Sequence, residues 1–143
     1  MQTTINSKQG FTLIEIIAVL LILSVMTAVA ISNMGSSTDA VKLQAEADMI
    51  KSHLRYAQSR AMNSDSNWGI RFVTTKTYQL FKGTSATLKT LPGENSTTVT
   101  LSTLQVTPAT VTFNNLGSPD TTTVSTTPGA YTITLNANTG FIP

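Results

Sequence analysis

Between Lys8 and Asp39 the chain carries a single charged side chain, Glu15, and that one carboxylate sits near the start of a long apolar run. From Ile16 to Ile31 only Ser24 and Thr27 interrupt hydrophobic residues. With Phe11 to Ile14 added, the run makes about 20 helical residues, the length needed to cross a hydrocarbon core of roughly 30 Å. It predicts a membrane-spanning helix. Lys8 stands on its N-terminal side and the next cation is Lys42, so the charge bias favours a cytoplasmic N-terminus and an exported C-terminal part.

A cleaved secretory signal is the alternative reading. Lys8 would be its basic region, Ile16 to Met26 its apolar region, and Ala28-Val29-Ala30 a small-residue cleavage site. Glu15 argues against it, because a carboxylate within an apolar helix costs up to about 3 kcal/mol at the bilayer centre and somewhat less near its edge. A segment that is discarded gains nothing from such an acid. A segment that is kept needs a partner for it.

The 143 residues allow one compact domain beside the membrane element. Nine Lys and Arg against seven Asp and Glu give a net charge of +2, and only 11% of residues are charged. That is far from the density of a nucleic-acid binder. The cations nominally available for DNA, Arg55, Arg60, Arg71, Lys76, Lys82 and Lys89, are too scattered in sequence to form a stripe. Zero cysteines remove disulfides, thiol catalysis and Cys-ligated zinc. With a lone histidine, no glycine-rich phosphate loop and no paired acids in a recognisable motif, no catalytic residue, metal site or cofactor is expected.

Beyond the apolar run, Gly35-Ser36-Ser37 before Asp39 predicts a break or bend. From Asp39 to about Asn63 the apolar residues Leu43, Ala47, Ile50, Leu54, Ala57 and Ala61 recur at alternating steps of four and three, the pattern of an amphipathic helix. Its narrow, alanine-containing stripe lets a sheet approach closely. His53 lies on this helix, and a histidine without neighbouring ligands reads as a surface or rim residue. After Asn63 short alternating segments rich in Thr, Val, Phe and Tyr predict antiparallel strands. They are expected at Trp68 to Thr74, Thr77 to Phe81, Thr98 to Val106, Thr110 to Asn114, Thr121 to Ser125, Ala130 to Asn136 and Gly140 to Ile142. In the sixth, Tyr131, Ile133 and Leu135 should face inward and Thr132 and Thr134 outward, with a tight turn at Asn138-Thr139-Gly140. The fold class is α+β, a long N-terminal helix packed on a small antiparallel sheet. Loops around Pro92-Gly93 and Ser118-Pro119 are candidate binding surfaces on turn chemistry.

The residues Lys8-Gln9-Gly10-Phe11-Thr12-Leu13-Ile14-Glu15 resemble the processing site of type IV prepilins and type II secretion pseudopilins. The resemblance implies that a prepilin peptidase cuts between Gly10 and Phe11, that Phe11 becomes the N-methylated first residue, and that Glu15 is the glutamate used in assembly. A second resemblance rests on Leu54-Arg55-Tyr56-Ala57-Gln58-Ser59-Arg60-Ala61 followed by Gly69-Ile70-Arg71-Phe72, which is similar to the GspH/FimT group of minor subunits. Together they imply a pilin-like organisation: a cleaved leader over 1–10, a transmembrane and filament-core helix over 11–34, an amphipathic helix over 35–63, and an exported β domain over 64–143. The implied partners are other pilin or pseudopilin subunits, the prepilin peptidase and methylase, and an inner-membrane assembly platform. The implied location is the bacterial inner membrane and a periplasmic or surface filament. Ser32 stands where many pilins have a proline, so any helix break must come from Gly35 and its neighbours. The absence of a cysteine pair and of an acidic calcium-type cluster points away from a major subunit, and Glu15 points away from the tip subunit. The alternatives are an exported periplasmic binding domain released after Ala30 and a DNA-uptake minor pilin.

Overall fold

The computed structural model describes residues 10–84, 87–128 and 131–143, with the backbone alone for 32–38. Residues 1–9 of the leader expected over 1–10, Lys8 among them, lie outside the described residues. Among the described residues one α-helix, α1 (Leu13–Met62), is followed by β1 (Trp68–Phe72), β2 (Thr77–Lys82), β3 (Leu88–Lys89), β4 (Thr98–Thr100), β5 (Gln105–Val106), β6 (Thr110–Phe113), β7 (Thr123–Val124), β8 (Thr126–Thr127) and β9 (Ile133–Thr134). The chain divides into two compact units, Met1–Thr38 and Asp39–Pro143. The architecture is α+β.

Helical backbone continues through Gly35, Ser36 and Ser37, so of the break or bend expected there the break does not occur. One glycine and two serines lower helix propensity by about 1 kcal/mol each at most, and each still supplies an N–H to the ladder. Only proline would remove that donor and clash with the preceding turn, and the helix Leu13–Met62 contains none.

In the unit Asp39–Pro143 the helical stripe behaves as its spacing dictates. Ala47, Ile50, Leu54, Ala57 and Ala61 are buried, and Leu43 packs at the margin of the same core. The three alanines keep the stripe flat, so sheet side chains reach the helix without being held off by bulk. Opposite them stand Trp68, Ile70 and Phe72 of β1, Tyr78 and Leu80 of β2, Val99 of β4, and Val111 and Phe113 of β6. These residues share one face because strand side chains alternate.

The main sheet is antiparallel in the order β3-β2-β1-β6, and β4 also pairs with β2. β3 takes the edge of β2 at Leu80 and Phe81, while β4 takes it at Thr77 to Gln79. Two further pairs, β5 with β8 and β7 with β9, are also antiparallel. On the face away from the helix, Gly69 pairs with Phe81, and a Cβ at position 69 would run into the Val111 carbonyl and the Phe81 ring. Glycine is what lets that ring lie over β1.

Three strand expectations change. Thr98 to Val106 is not one strand but β4 and β5, because the N–H groups of Ser102, Thr103 and Leu104 are taken by the Glu46 carboxylate instead of a neighbouring strand. Thr121 to Ser125 shrinks to β7, with Thr126–Thr127 forming a separate strand against β5. Gly140 to Ile142 is not a strand: Asn136 N–H bonds to the Phe141 carbonyl across the turn, and the Ile142 carbonyl is held by Arg55 of the helix at 2.8 Å. The sixth segment keeps its expected facing, Ile133 and Leu135 buried and Thr132 and Thr134 exposed, although regular pairing is limited to Ile133–Thr134 and Ala130 lies outside the described residues. A short strand at Leu88–Lys89 was not anticipated.

Candidate functional site

The helix begins at Leu13, and Thr12 caps it. The Thr12 side-chain oxygen accepts from the Glu15 N–H at 3.3 Å, and the Thr12 carbonyl accepts from Glu15 at 3.1 Å and Ile16 at 3.3 Å. A hydroxyl at the N-cap thereby satisfies one of the otherwise orphaned first-turn donors. Glu15 is the acidic residue of that first turn, where the helix dipole favours negative charge. Thr12-Leu13-Ile14-Glu15 has the spacing of a capping box, a signal in plain view that reading Glu15 only as an assembly residue passes over.

Upstream of the cap, Gly10 is exposed with nothing within 4 Å of where a Cβ would stand, and Phe11 is 80% exposed. The Gly10–Phe11 peptide therefore lies outside the helix, between two exposed residues. Behind it, Leu13–Ile31 is a 19-residue stretch long and apolar enough to cross a membrane, with none of it buried. The arrangement leaves the Gly10–Phe11 peptide exposed and sets one acid at the head of an apolar stretch.

The domain Asp39–Pro143 contains three side chains whose roles the sequence did not signal. Glu46 holds the loop between β4 and β5, its oxygens accepting from Ser102 and Leu104 N–H at 2.6 Å each and from Thr103 at 3.1 Å. Partial burial pushes its carboxyl upward, but the amides of Leu104, Ser102 and Thr103 outweigh this and hold it below the usual range. His53, expected at the surface or rim, is buried, with Nδ1 at 2.8 Å from the Tyr78 hydroxyl. Burial pulls the imidazole below its ordinary value, against Glu94 and a hydrogen bond to the Pro92 backbone. Burial likewise raises the Tyr78 phenol, aided by Glu94 and Glu46. Gln58 donates to the carbonyls of Gly117 at 3.0 Å and Thr139 at 2.7 Å, fastening two loops to the helix.

The two candidate loops are placed differently. Pro92 and Gly93 are exposed beside buried Leu91. Ser118 and Pro119 border a shallow polar cavity of about 260 Å³ with Asn67, Thr112, Asn114 and Asp120. Among the described residues no group of three or more His, Cys, Asp or Glu is placed to hold a metal ion. Five of the six cations considered for DNA are engaged inside the domain. Arg55 bonds Ile142, Arg71 bonds Gln79, Lys76 bonds Ser102, and Arg60 and Lys82 lie 4.9 and 5.8 Å from the Trp68 ring centre.

Two family profiles match the chain. The prokaryotic N-terminal methylation motif covers residues 5–31, the stretch containing Gly10, Phe11 and Glu15. The type II transport protein GspH covers residues 46–140, from Glu46 on the helix through the sheet to the Gly140 turn. No curated protein and no solved structure gives a significant match. Methylation motif, apolar helix and GspH domain together mark a membrane-anchored pilin or pseudopilin, a class of structural subunits that assemble with others of their kind after prepilin peptidase processing. The chain belongs to the GspH family of type II transport proteins.

Proposed function

We propose that this chain is a minor subunit of a type IV pilus-like or type II secretion filament. It is made as a precursor, cut between Gly10 and Phe11, methylated on Phe11, and drawn from the inner membrane into the filament through its apolar helix. The observation that carries this reading is the accessible Gly10–Phe11 peptide placed directly ahead of a capped helix whose first turn holds Glu15. Cleavage would create a cationic amine one turn from that carboxylate, and opposite charges attract more strongly in a site that excludes water. Glu15 would pair with the amine of a neighbouring Phe11 and hold an incoming subunit in register. The assembly platform and a cytoplasmic motor would supply the force, the N-terminus facing the cytoplasm and the β domain the periplasm. The work of the chain is mechanical, not catalytic.

Mass spectrometry of the mature protein tests processing. A start at methylated Phe11 is expected, whereas a start at Ile31 would mean a discarded signal and a soluble domain. Incorporation tests the acid: Glu15→Ala should enter filaments at least tenfold less than the parent, and equal incorporation would remove the assembly role from Glu15.

A further inference from the structure

Asn67, Thr112 and Asn114 come to one side of the main sheet for a local reason. Gly69 and Thr112 are paired in register on the face away from the helix. Asn67 and Asn114 each stand two residues further along their own segments, so strand alternation brings them to that face as well. The chain then turns back along the side of β6 away from β1. The Asp120 N–H donates to the Thr112 carbonyl at 3.0 Å, Asp120 Oδ1 accepts from the Thr112 N–H at 2.7 Å, and Pro119 forms an antiparallel bridge with Phe113. The cavity of about 260 Å³ between Asn67, Thr112, Asn114, Ser118, Pro119 and Asp120 results. At about 30 Å³ per water it holds roughly nine waters, or one sugar ring.

The bonds that fix its walls spend the backbone and spare several side-chain tips. Asn114 Oδ1 accepts from the Leu116 and Ser118 N–H groups at 3.0 Å each, and the Asn114 N–H donates to the Ser118 carbonyl at 3.1 Å. Ser118 Oγ donates to the Asn138 carbonyl at 2.6 Å. Asn138 is itself fixed, since Asn136 Oδ1 accepts from the Asn138 and Thr139 N–H groups at 3.0 Å each. Among the described residues the Asn67 side-chain amide, Asn114 Nδ2, the Thr112 hydroxyl and Asp120 Oδ2 are left without a hydrogen bond at the cavity. Glu46, in a hollow with Lys42 and Thr103, is the contrast: both its oxygens are taken by the amides of Ser102, Thr103 and Leu104.

The free groups select a ligand by role. Asn67 brings a donor and an acceptor, Asn114 Nδ2 a donor, Asp120 Oδ2 an acceptor, and the Thr112 hydroxyl either. An ammonium group only donates and would face the Asn67 and Asn114 donors unmatched. A carboxylate or phosphate only accepts and would meet the Asp120 charge, with no Lys or Arg lining the cavity to offset it. A hydroxyl donates and accepts at once, and adjacent hydroxyls on a ring repeat that pair of roles.

We propose that this cavity binds a neutral sugar residue of a glycan, its ring hydroxyls donating to Asp120 Oδ2 and accepting from the Asn67 and Asn114 amides. The walls are fixed before the ligand arrives, so little ordering opposes binding. The site lies within Asp39–Pro143 and goes beyond the filament reading: it stands whether the mature chain begins at Phe11 or at Ile31.

NMR titration of the isotope-labelled full-length chain, held in a detergent without a sugar headgroup, tests the proposal. The probes are the methyl glycosides of glucose, galactose, mannose and N-acetylglucosamine, with methylammonium and acetate as charged controls. At least one glycoside should give saturable shifts at the Thr112, Asn114, Ser118 and Asp120 amides and at the Asn67 side chain. Asn67→Ala removes an exposed amide that bonds nothing in the fold. Asp120→Asn keeps an oxygen for the Thr112 N–H but replaces the free acceptor with a donor. Each should weaken glycoside binding about fivefold or more and leave resonances away from the cavity in place; if Asp120→Asn disturbs the turn, Asn67→Ala decides. No saturable shift with any glycoside overturns the proposal, as does glycoside binding that Asn67→Ala leaves intact. Saturation of the same residues by methylammonium or acetate and by no glycoside overturns it too, in favour of a site for a charged group.

Discussion

The His53 ring and the Tyr78 hydroxyl meet 2.8 Å apart in the layer where the helix packs on β2, both buried. Nδ1 is placed to accept from the hydroxyl, and the pair thus links helix and sheet.

This arrangement makes stability fall in mild acid. The folded histidine titrates below its ordinary value, so the unfolded chain takes up a proton first as pH drops. The contribution is complete above about pH 6.5 and is lost as pH falls from there through the lowered folded value. Thermal unfolding of the full chain in detergent, followed by near-ultraviolet circular dichroism, should show a midpoint that declines below pH 6.5. His53→Gln should flatten that decline; an identical slope would mean the imidazole is not its source.

Glu46 gives a second acid step, lower in pH. Its carboxyl is held below 4.5 when folded, so its stabilisation is present above that value and disappears as pH falls through the folded one. The side chain remains largely solvated, which screens its interactions. Glu46→Ala should therefore cost only about 1–2 kcal/mol. Amide exchange at Ser102, Thr103 and Leu104 should speed up at least fivefold, with Glu46→Gln intermediate. Unchanged exchange would show that water serves those amides equally well.

Gly69 offers a steric test. Gly69→Ala sets a methyl against the Val111 carbonyl and the Phe81 ring, and overpacking of this kind costs about 1–3 kcal/mol. Adding Phe81→Leu frees only the ring side, since the carbonyl belongs to the β1–β6 ladder. The double variant should therefore recover less than half of the loss in urea unfolding. Full recovery would place the whole conflict in the ring.

The helix stripe and the α+β order were legible because periodicity is local: Leu43 through Ala61 repeat with the helix, and Ile133 and Leu135 alternate with the strand. Contacts between distant residues were not. Nothing near Ser102 announces that Glu46, 56 residues away, will take its N–H and split a threonine-rich strand. His53 is likewise buried by Tyr78, 25 residues on. Thr12 differs from both, since its spacing to Glu15 was visible and only its capping role went unread. At Gly35 the expected break or bend does not take the form of a break, because a weak helix former inside a long helix loses to the cooperativity of its flanks.

Gln58 supplies the most discriminating substitution. Its amide nitrogen donates to Gly117 and Thr139 carbonyls at once, so two loops depend on a group with no acceptor role there. Gln58→Ala removes both bonds and should cost about 1–2 kcal/mol. Gln58→Glu keeps the size and helix propensity but replaces the donor with a carboxylate facing two carbonyl oxygens. It should be at least as damaging near neutral pH, and it should recover only in part as pH falls, since the acid regains one proton to donate where the amide has two. Chemical shifts of Gly117 and Gly140 report the loops directly. If Gln58→Glu leaves those shifts and the unfolding midpoint unchanged at pH 7, the loops are held by their own asparagine turns and not by the helix.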